Sequence, residues 1–376
     1  MQPIAFSRPF MGKEEETACA EAVASGWIVG GPQQARFERH YAELCESPFA
    51  VAVSSWTTGG FLILKAWGIG PGDEVIVPSL TFIASVNVIL HAGATPVFAD
   101  IDPQTWNIDP EDMARRITSR TRAVIAVDQI GMPCDIHRIQ DLLRGRDIRL
   151  LQDAACSFGS RLRGHPAGAY SDVSCFSLHA RKVVSTGEGG MIVCRGEAFA
   201  ARLRRLRHQG MSHSDHERHG APPTQFETYP EVGYNFRLTD IQAAIGNAQL
   251  ARLPEILRRR KAVADRYIAH LRDHPLLEAP HVPSDCEPNW QSFQARVRDG
   301  SPLTRNALMD SLWQRGIPTR RGVMASHREP PYLSMKADLP HTVEAADRCI
   351  QLPMHPGLEA DQVEFILKSL DGIACI

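Results

Sequence analysis

No run of about 18 consecutive apolar residues occurs in this chain, so no stretch is expected to cross a membrane as a helix. The N-terminus, Met1 to Phe10, lacks the cationic and apolar parts of a secretory signal. Cys-x-x-Cys pairs are missing too, and the nine cysteines are scattered and odd in number. Several lie in apolar, strand-like runs, which fits buried thiols in a reducing compartment better than disulfides. Neither charge sign is in excess: 41 basic and 43 acidic side chains leave a net charge of −2, with no basic stripe and no acidic tail. That removes the electrostatic footprint of a nucleic-acid binder. Internal repeats and low-complexity segments are absent as well. What remains is 376 residues of ordinary globular composition, 43% hydrophobic and 22% charged. Such a chain supports a sizeable core and about two domains. The expected setting is cytoplasmic, with neither nucleic acid nor membrane as partner.

Helices are expected at 12–26 and 33–46, joined by a glycine-punctuated loop around Trp27. From there strand-like and helix-like runs alternate. Strands are expected at 50–54, 74–78, 95–100, 122–128 and 148–153, and helices at 57–67, 82–91, 110–117 and 136–144. This alternation predicts an α/β fold, with a mostly parallel sheet carrying helices on both faces. In such sheets ligands bind outside the carboxyl ends of the strands. Three expected strands end there in an acid: Asp100, Asp128 and Asp153. After Cys194 come a basic helix at 196–208, a polar excursion at 209–231 and one long helical pattern from Asp240 to Leu271. The remainder reads as a smaller α+β unit, with a strand at 291–297 and helices at 304–315, 342–349 and 360–370. The expected division is a large domain of residues 1–240 and a small one of 241–376.

The stretch from Ser171 to Cys194 organises the chain. An apolar strand ends in a polar loop holding Lys182, followed by the turn Gly187-Glu188-Gly189-Gly190 and a second short strand. Lysines are ordinarily kept at the surface. An amine drawn toward a core is a candidate nucleophile, here for a Schiff base with pyridoxal phosphate. That cofactor needs an acid against its ring nitrogen, and Asp153 closes an apolar strand as the role requires. Taken alone, Asp153 reads equally well as a turn aspartate. For a phosphate, the run Ser54 to Gly60 passes from strand into helix, where backbone N–H groups and hydroxyls make a ready anion site. A plain N-cap uses the same residues. Their order along the chain sharpens the set: phosphate loop, then acid, then lysine.

These motifs, together with SRPFMGKEEE, SGWIVGGP, GIGPGDEVIVPSLTF, QDAACSFGS, FSLHARKVVSTGEGG, VGYNFRLTDIQAA and QLPMHPGL, resemble the sugar aminotransferases of the DegT/DnrJ/StrS type. The resemblance covers nearly the whole chain. It implies a pyridoxal-phosphate-dependent transferase of fold type I, related to aspartate aminotransferase. It assigns Lys182 to cofactor attachment and proton transfer, and Asp153 to the pyridine nitrogen. It assigns Thr57, Thr58 and Ser177 to the phosphate and Phe82 to stacking on the ring. Asn235 is implied to reach the phosphate of a neighbouring subunit, so a homodimer with shared sites is expected. His327 falls near a histidine that faces the sugar nucleotide in relatives. The implied reaction moves the amino group of an amino acid, L-glutamate by expectation, onto a keto sugar attached to a nucleotide. Transamination of a cyclitol or other cyclic ketone is an alternative, as is a regulatory homologue that binds the cofactor without turnover.

Two positions depart from the family wording. Trp56 replaces a glycine of the phosphate loop, so the loop backbone differs or the indole lines the substrate pocket. Cys156 stands where glutamine or histidine commonly contacts the cofactor's ring hydroxyl, and a thiol is a poor hydrogen-bond partner there. Four other features read as structural. His213, His216 and His219 lie in a polar loop without the framework of a metal site, and no metal is expected. Arginines 202–207 read as a solvated or interface face, Glu188 as a turn carboxylate with a substrate ligand as the alternative, and Cys156 lacks an adjacent base for nucleophilic work.

Overall fold

The structure is a computed structural model and describes residues 3–213, 222, 224, 226–335 and 337–374. Two amphipathic helices, α1 (Lys13–Ala24) and α2 (Pro32–Leu44), precede the sheet. β1 (Phe49–Val53) then leads into α3 (Trp56–Ala66). There follow β2 (Glu74–Pro78), α4 (Ala84–His91), β3 (Thr95–Ala99), α5 (Pro110–Arg115), β4 (Thr121–Val127), α6 (Ile136–Leu143) and β5 (Arg149–Asp153). After two short strands, β6 (Arg161–Leu162) and β7 (His165–Pro166), come β8 (Val173–Ser177), β9 (Gly190–Cys194) and α7 (Glu197–Leu206). The expected alternation therefore forms, with boundaries shifted by a few residues.

Seven strands pair in the order β1-β9-β8-β5-β4-β2-β3. The pairs β8–β5, β5–β4, β4–β2 and β2–β3 are parallel, whereas β9 runs antiparallel to both β1 and β8. The strands are apolar on both faces because helices cover both sides. On one side Val51, Val53, Val75, Val77 and Ile125 pack under α3, α4 and α7. On the other, Ala50, Ala52, Phe176 and Met191 meet Phe37 and Tyr41 of α2. Register then decides what meets at the carboxyl edge. Val127 lies opposite Asp153, and Asp153 opposite Cys175. Gly190 lies between Val53 and Ser177. The starts of the loops after β1, β4, β5 and β8 are thus set side by side.

The helical pattern expected over 240–271 is two helices, Asp240–Ala251 and Leu253–Leu271. Arg252 breaks the run at φ −96°, ψ 0°, and Pro254 starts the second helix. A proline has no N–H to continue a helix but suits its first turn. Thr239 caps the first helix through Gln242 N–H at 3.2 Å. Asp240 ties that helix back to α2, accepting from Gly31 N–H at 2.9 Å and Gln34 N–H at 3.0 Å.

A second sheet joins β10 (Leu277–Glu278), β12 (Phe293–Val297), β13 (Arg320–Arg321) and β14 (Cys349–Leu352) in the order β10-β12-β14-β13. Its apolar face packs with Tyr267, Leu312, Ile366 and Leu370 into a separate core. The short strand β11 (Cys286–Glu287) pairs instead with β6, beside β7. Among the described residues no helix is long and apolar enough to cross a membrane.

Candidate active site

A cavity of about 580 Å³ opens at the carboxyl edge of the large sheet, closed on one side by the β13 segment. Seven of the expected residues meet in its wall: Trp56, Thr57, Phe82, Asp153, Cys156, Ser177 and Lys182. They arrive on four segments: Trp56 and Thr57 after β1, Phe82 after β2, Asp153 and Cys156 at the end of β5, and Ser177 and Lys182 at the end of β8.

Asp153 is the last residue of β5 and only 2% exposed. Ser85 Oγ of α4 donates to its Oδ2 at 2.7 Å, and Ala155 N–H donates to Oδ1 at 3.1 Å. Burial pushes its carboxyl up to about 6, against the pull of these two donors and of the Lys182 charge. A carboxylate held out of water with a free flank toward a cavity suits a cationic ring nitrogen, which returns the Coulomb energy that burial took away.

Lys182 sits in the loop after β8, its N–H donating to His179 carbonyl oxygen at 2.8 Å. Its Nζ lies 3.1 Å from Cys156 Sγ. The loop returns through Gly187, at φ +85°, a conformation costly for a side chain with Cβ. Thr186 Oγ1 and Gln242 Nε2 each donate to the Glu188 carbonyl oxygen at 2.7 Å. The Glu188 carboxylate lies 3.8 Å from His179 Nε2.

The phosphate loop forms the N-terminus of α3. Ser55 is its N-cap and accepts from Thr58 N–H at 3.1 Å, leaving the first N–H groups of the helix facing the cavity region. Thr57 lines the wall. Thr58 does not. Its hydroxyl accepts from Ser55 N–H at 3.1 Å and donates to Ser55 carbonyl oxygen at 2.9 Å, an arrangement that caps the helix.

Trp56 has contacts on both sides of the wall. It touches the wall, but the residue is 5% exposed, its Nε1 donates to Cys175 carbonyl oxygen at 3.0 Å, and the ring lies against Gly60. The indole N–H is thus anchored in the core beneath α3. Phe82, by contrast, is 65% exposed at the cavity wall, an unusual cost for a phenyl ring unless something flat covers it.

Besides Thr58, two expected residues lie outside the wall. His327 places Nδ1 2.7 Å from Ser79 Oγ, and burial lowers its proton affinity. Asn235 is exposed, bridged to His208 and accepting from Arg237 Nε at 3.2 Å. His216 and His219 lie outside the described residues. Sequence reasoning missed Ser85, which fixes Asp153, and the arginines 181, 320 and 321 of the wall. A serine three residues after Phe82 in an apolar helix was the only signal for the first. The arginines come from separate segments and gave none.

The donor set fits pyridoxal phosphate: one amine, one buried carboxylate, a helix N-terminus for an anion, and an exposed aromatic ring at one cavity.

A model of the DegT/DnrJ/EryC1/StrS aminotransferase family matches residues 9–371. The spore coat polysaccharide biosynthesis protein SpsC of Bacillus subtilis is 35% identical over 98% of this chain and 97% of its own length. A GDP-perosamine synthase of Caulobacter vibrioides is 35% identical, covering 98% of each chain. The solved PLP form of a putative sugar aminotransferase, Spr1654 of Streptococcus pneumoniae, superposes with a TM-score of 0.91 at 29% identity, over 99% of this chain and 98% of that one.

Proposed function

This chain belongs to the DegT/DnrJ/EryC1/StrS aminotransferase family, and on that premise we propose that it transfers the amino group of an amino acid, L-glutamate, to a nucleotide-linked keto sugar. The protein is a pyridoxal-phosphate-dependent aminotransferase of fold type I. The observation that carries the reading is the meeting of the Lys182 amine and the buried Asp153 carboxylate in one cavity.

Bound pyridoxal phosphate supplies a reversible carrier for the amino group and a sink for the electron pair left at a deprotonated carbon. The chain's residues do the rest. Lys182 Nζ holds the cofactor and, when free, takes a proton from the donor carbon and returns it, as general base and then acid. Asp153 holds the ring nitrogen in its protonated form, and Ser85 holds Asp153. The first turn of α3 and Ser177 would receive the phosphate, and Phe82 would cover a ring face. Cys156 keeps Lys182 directed at the cavity.

We further propose a homodimer in which Asn235 serves the neighbouring subunit. Support comes from its exposure away from its own cavity and from exposed Phe226, Tyr229 and Val232 nearby in sequence. A large unit of residues 1–240 and a small one of 241–376 are proposed on the two sheets, each drawn from one side of that boundary. A cytoplasmic setting is proposed because cysteines 45, 134, 175, 194, 286 and 349 are free and buried.

A panel of nucleotide-linked keto sugars, assayed with L-glutamate by mass spectrometry, tests the reaction. Conversion of one ketone to its amine with stoichiometric 2-oxoglutarate is expected. Formation of 2-oxoglutarate with no aminated product across the panel would remove the sugar from the reading.

A further inference from the structure

Two loops of the cavity wall are pinned by one short segment. Asn289 Nδ2 donates to the Cys156 carbonyl oxygen at 2.7 Å and to the Phe158 carbonyl oxygen at 2.9 Å. Two residues on, Gln291 Nε2 donates to the Arg181 carbonyl oxygen at 3.0 Å. The clasp is closed on itself, since Asn289 Oδ1 accepts from Gln291 N–H at 2.9 Å. Trp290 between them holds φ +55° and is buried in the core of the second sheet. A bulky residue in that region is strained, and such strain persists only where surrounding contacts over-determine it. The loops after β5 and β8 are therefore held at a fixed separation. Across it Lys182 Nζ donates to Cys156 Sγ at 3.1 Å.

The setting of this sulfur differs from that of most described cysteines. Cys156 lines the open cavity and is partly exposed, whereas cysteines 45, 134, 175, 194, 286 and 349 are buried. It faces two basic side chains. One is the Lys182 amine in direct contact. The other is Arg181, whose proton affinity is lowered by desolvation and in part restored by the Cys156 sulfur. Partial exposure beside cations is where oxidisable cysteines are found. No second cysteine lines the cavity among the described residues, so no thiol stands there to close a disulfide. The group that stands in its place is the amine.

We propose that Cys156 and Lys182 form an oxidative crosslink, a sulfur–nitrogen bond made when a hydroperoxide enters the cofactor-free cavity, and that this bond reversibly blocks cofactor attachment. The block follows because Lys182, on the reading above, is the point of attachment. In the first step the O–O bond of the peroxide breaks and the Cys156 sulfur, oxidised by two electrons, keeps one oxygen as a sulfenic acid. The other oxygen leaves as water with the thiol proton. Sulfenic acids condense with a nitrogen held close by. Here the unprotonated Lys182 amine attacks the sulfur, the S–O bond breaks, and the oxygen leaves as water with one amine hydrogen. One thiol, one amine and one peroxide thus give the joined pair and two waters. A dithiol reverses the bond: its first sulfur displaces the nitrogen, which takes a proton, and its second frees Cys156 by closing a disulfide. Holding sulfur and nitrogen in contact makes the joining step local, which favours it over further oxidation. With Lys182 attached to the cofactor the amine is occupied and the crosslink cannot form.

The experiment uses the full chain, cofactor-free and loaded, in its native sequence and as Cys156→Ser and Lys182→Ala. Each is treated briefly with hydrogen peroxide and digested without reductant for peptide mass spectrometry. In the cofactor-free native chain the peptides of Cys156 and Lys182 are expected as one joined species, lighter than their sum by two hydrogens and separated by dithiothreitol. Loading pyridoxal phosphate beforehand should lower its yield severalfold. Neither variant can form it, and Lys182→Ala should instead gather sulfenic acid at Cys156, trapped with dimedone. Pyridoxal phosphate binding, read by absorbance, should fall in the peroxide-treated native chain in step with the joined peptide and return with dithiothreitol. Cys156→Ser should bind alike before and after peroxide. Equal dimedone labelling of Cys156 in the native chain and Lys182→Ala, with no joined peptide, overturns the proposal. So does a loss of binding in Cys156→Ser as large as in the native chain. Failure of the attachment reading is seen separately, as an untreated native chain that gives no absorbance response to pyridoxal phosphate while the joined peptide still forms with peroxide.

Discussion

The amino nitrogen of Lys182 lies 3.1 Å from the sulfur of Cys156, with no other side-chain partner for that amine among the described residues. The two residues come from different loops, one after β5 and one after β8, brought together because Asp153 and Cys175 are opposite one another in the sheet. A thiol is a weak partner for an amine, so it directs Lys182 without holding it tightly. Cys156→Ala should therefore lower kcat/KM only modestly, roughly fivefold, the scale of one net hydrogen bond.

The same contact makes Cys156 a reporter of the cavity. Of the described cysteines only Cys19 and Cys156 are partly exposed, the others being buried. Brief iodoacetamide treatment of folded, cofactor-free protein should label these two, read by peptide mass spectrometry. Loading pyridoxal phosphate should protect Cys156 severalfold and leave Cys19 unchanged. Equal labelling of Cys156 in both states would place the cofactor elsewhere.

Asp153 gives a pH signature with a definite sign. Burial raises its carboxyl from 3.8 to about 6. The folded, cofactor-free protein thus binds a proton that the unfolded chain has already lost between those values. Stability from this group is full below about pH 4 and is lost as pH rises through about 6, up to about 3 kcal/mol in all. Asp153→Asn cannot lose it. The melting temperature of Asp153→Asn relative to the native protein, both without cofactor, should climb between pH 4 and pH 7. A constant difference would mean that the carboxyl is not desolvated. With cofactor loaded, the variant should lose turnover by about 10²-fold or more, since the ring nitrogen is no longer held protonated.

The sheet was legible because its strands are short, apolar and separated by helical periods, and sequence position alone set Asp153 at a strand end and Lys182 in the loop after another. What escaped was local geometry that depends on distant partners. Thr58 and Trp56 carry suitable groups for a cofactor loop, but Ser55 takes the Thr58 hydroxyl and the Cys175 carbonyl takes the indole N–H. Pro254 was in plain view within the pattern 240–271, yet the apolar period ran through it. The clasp of Asn289 and Gln291 on the two site loops was invisible because it lies more than a hundred residues along the chain from either and meets them only through tertiary folding.

Gly190 couples the lysine loop to the phosphate loop. A Cβ there would meet Ser55 C at 2.5 Å, Ser55 O at 2.6 Å and Trp56 N at 2.8 Å, all backbone atoms at the start of α3. Nothing flexible can yield, so Gly190→Ala must push the helix N-terminus away from Ser177. A cost of about 1–3 kcal/mol is expected, as for other overpacked sites. Cofactor affinity should fall as well, because the displaced amides are those proposed to receive the phosphate. Gly187→Ala is the comparison. Its Cβ meets nothing within 4 Å, and its strain comes only from φ +85°. It should destabilise by about 1 kcal/mol with little effect on cofactor affinity. Equal loss of affinity in both variants would separate Gly190 from the phosphate site.

The shared-site proposal makes a quantitative demand on mixed subunits. Asn235 is exposed and does not line the cavity of its own chain. If it serves the neighbour's phosphate, Lys182→Ala and Asn235→Ala impair different halves of each site. In a dimer containing one chain of each kind, one site receives Lys182 from the second variant and Asn235 from the first, and is intact. The other site lacks both. Random mixing makes half the dimers mixed, each with one good site of two, so activity should return to about a quarter of the native level. The measurement is a steady-state rate before and after unfolding and refolding the two inactive variants together. A mixture no more active than the average of its parents would mean that each cavity is completed within a single chain. Sedimentation of the native protein at assay concentration accompanies the test, because a shared site needs at least a dimer to exist where the rate is measured.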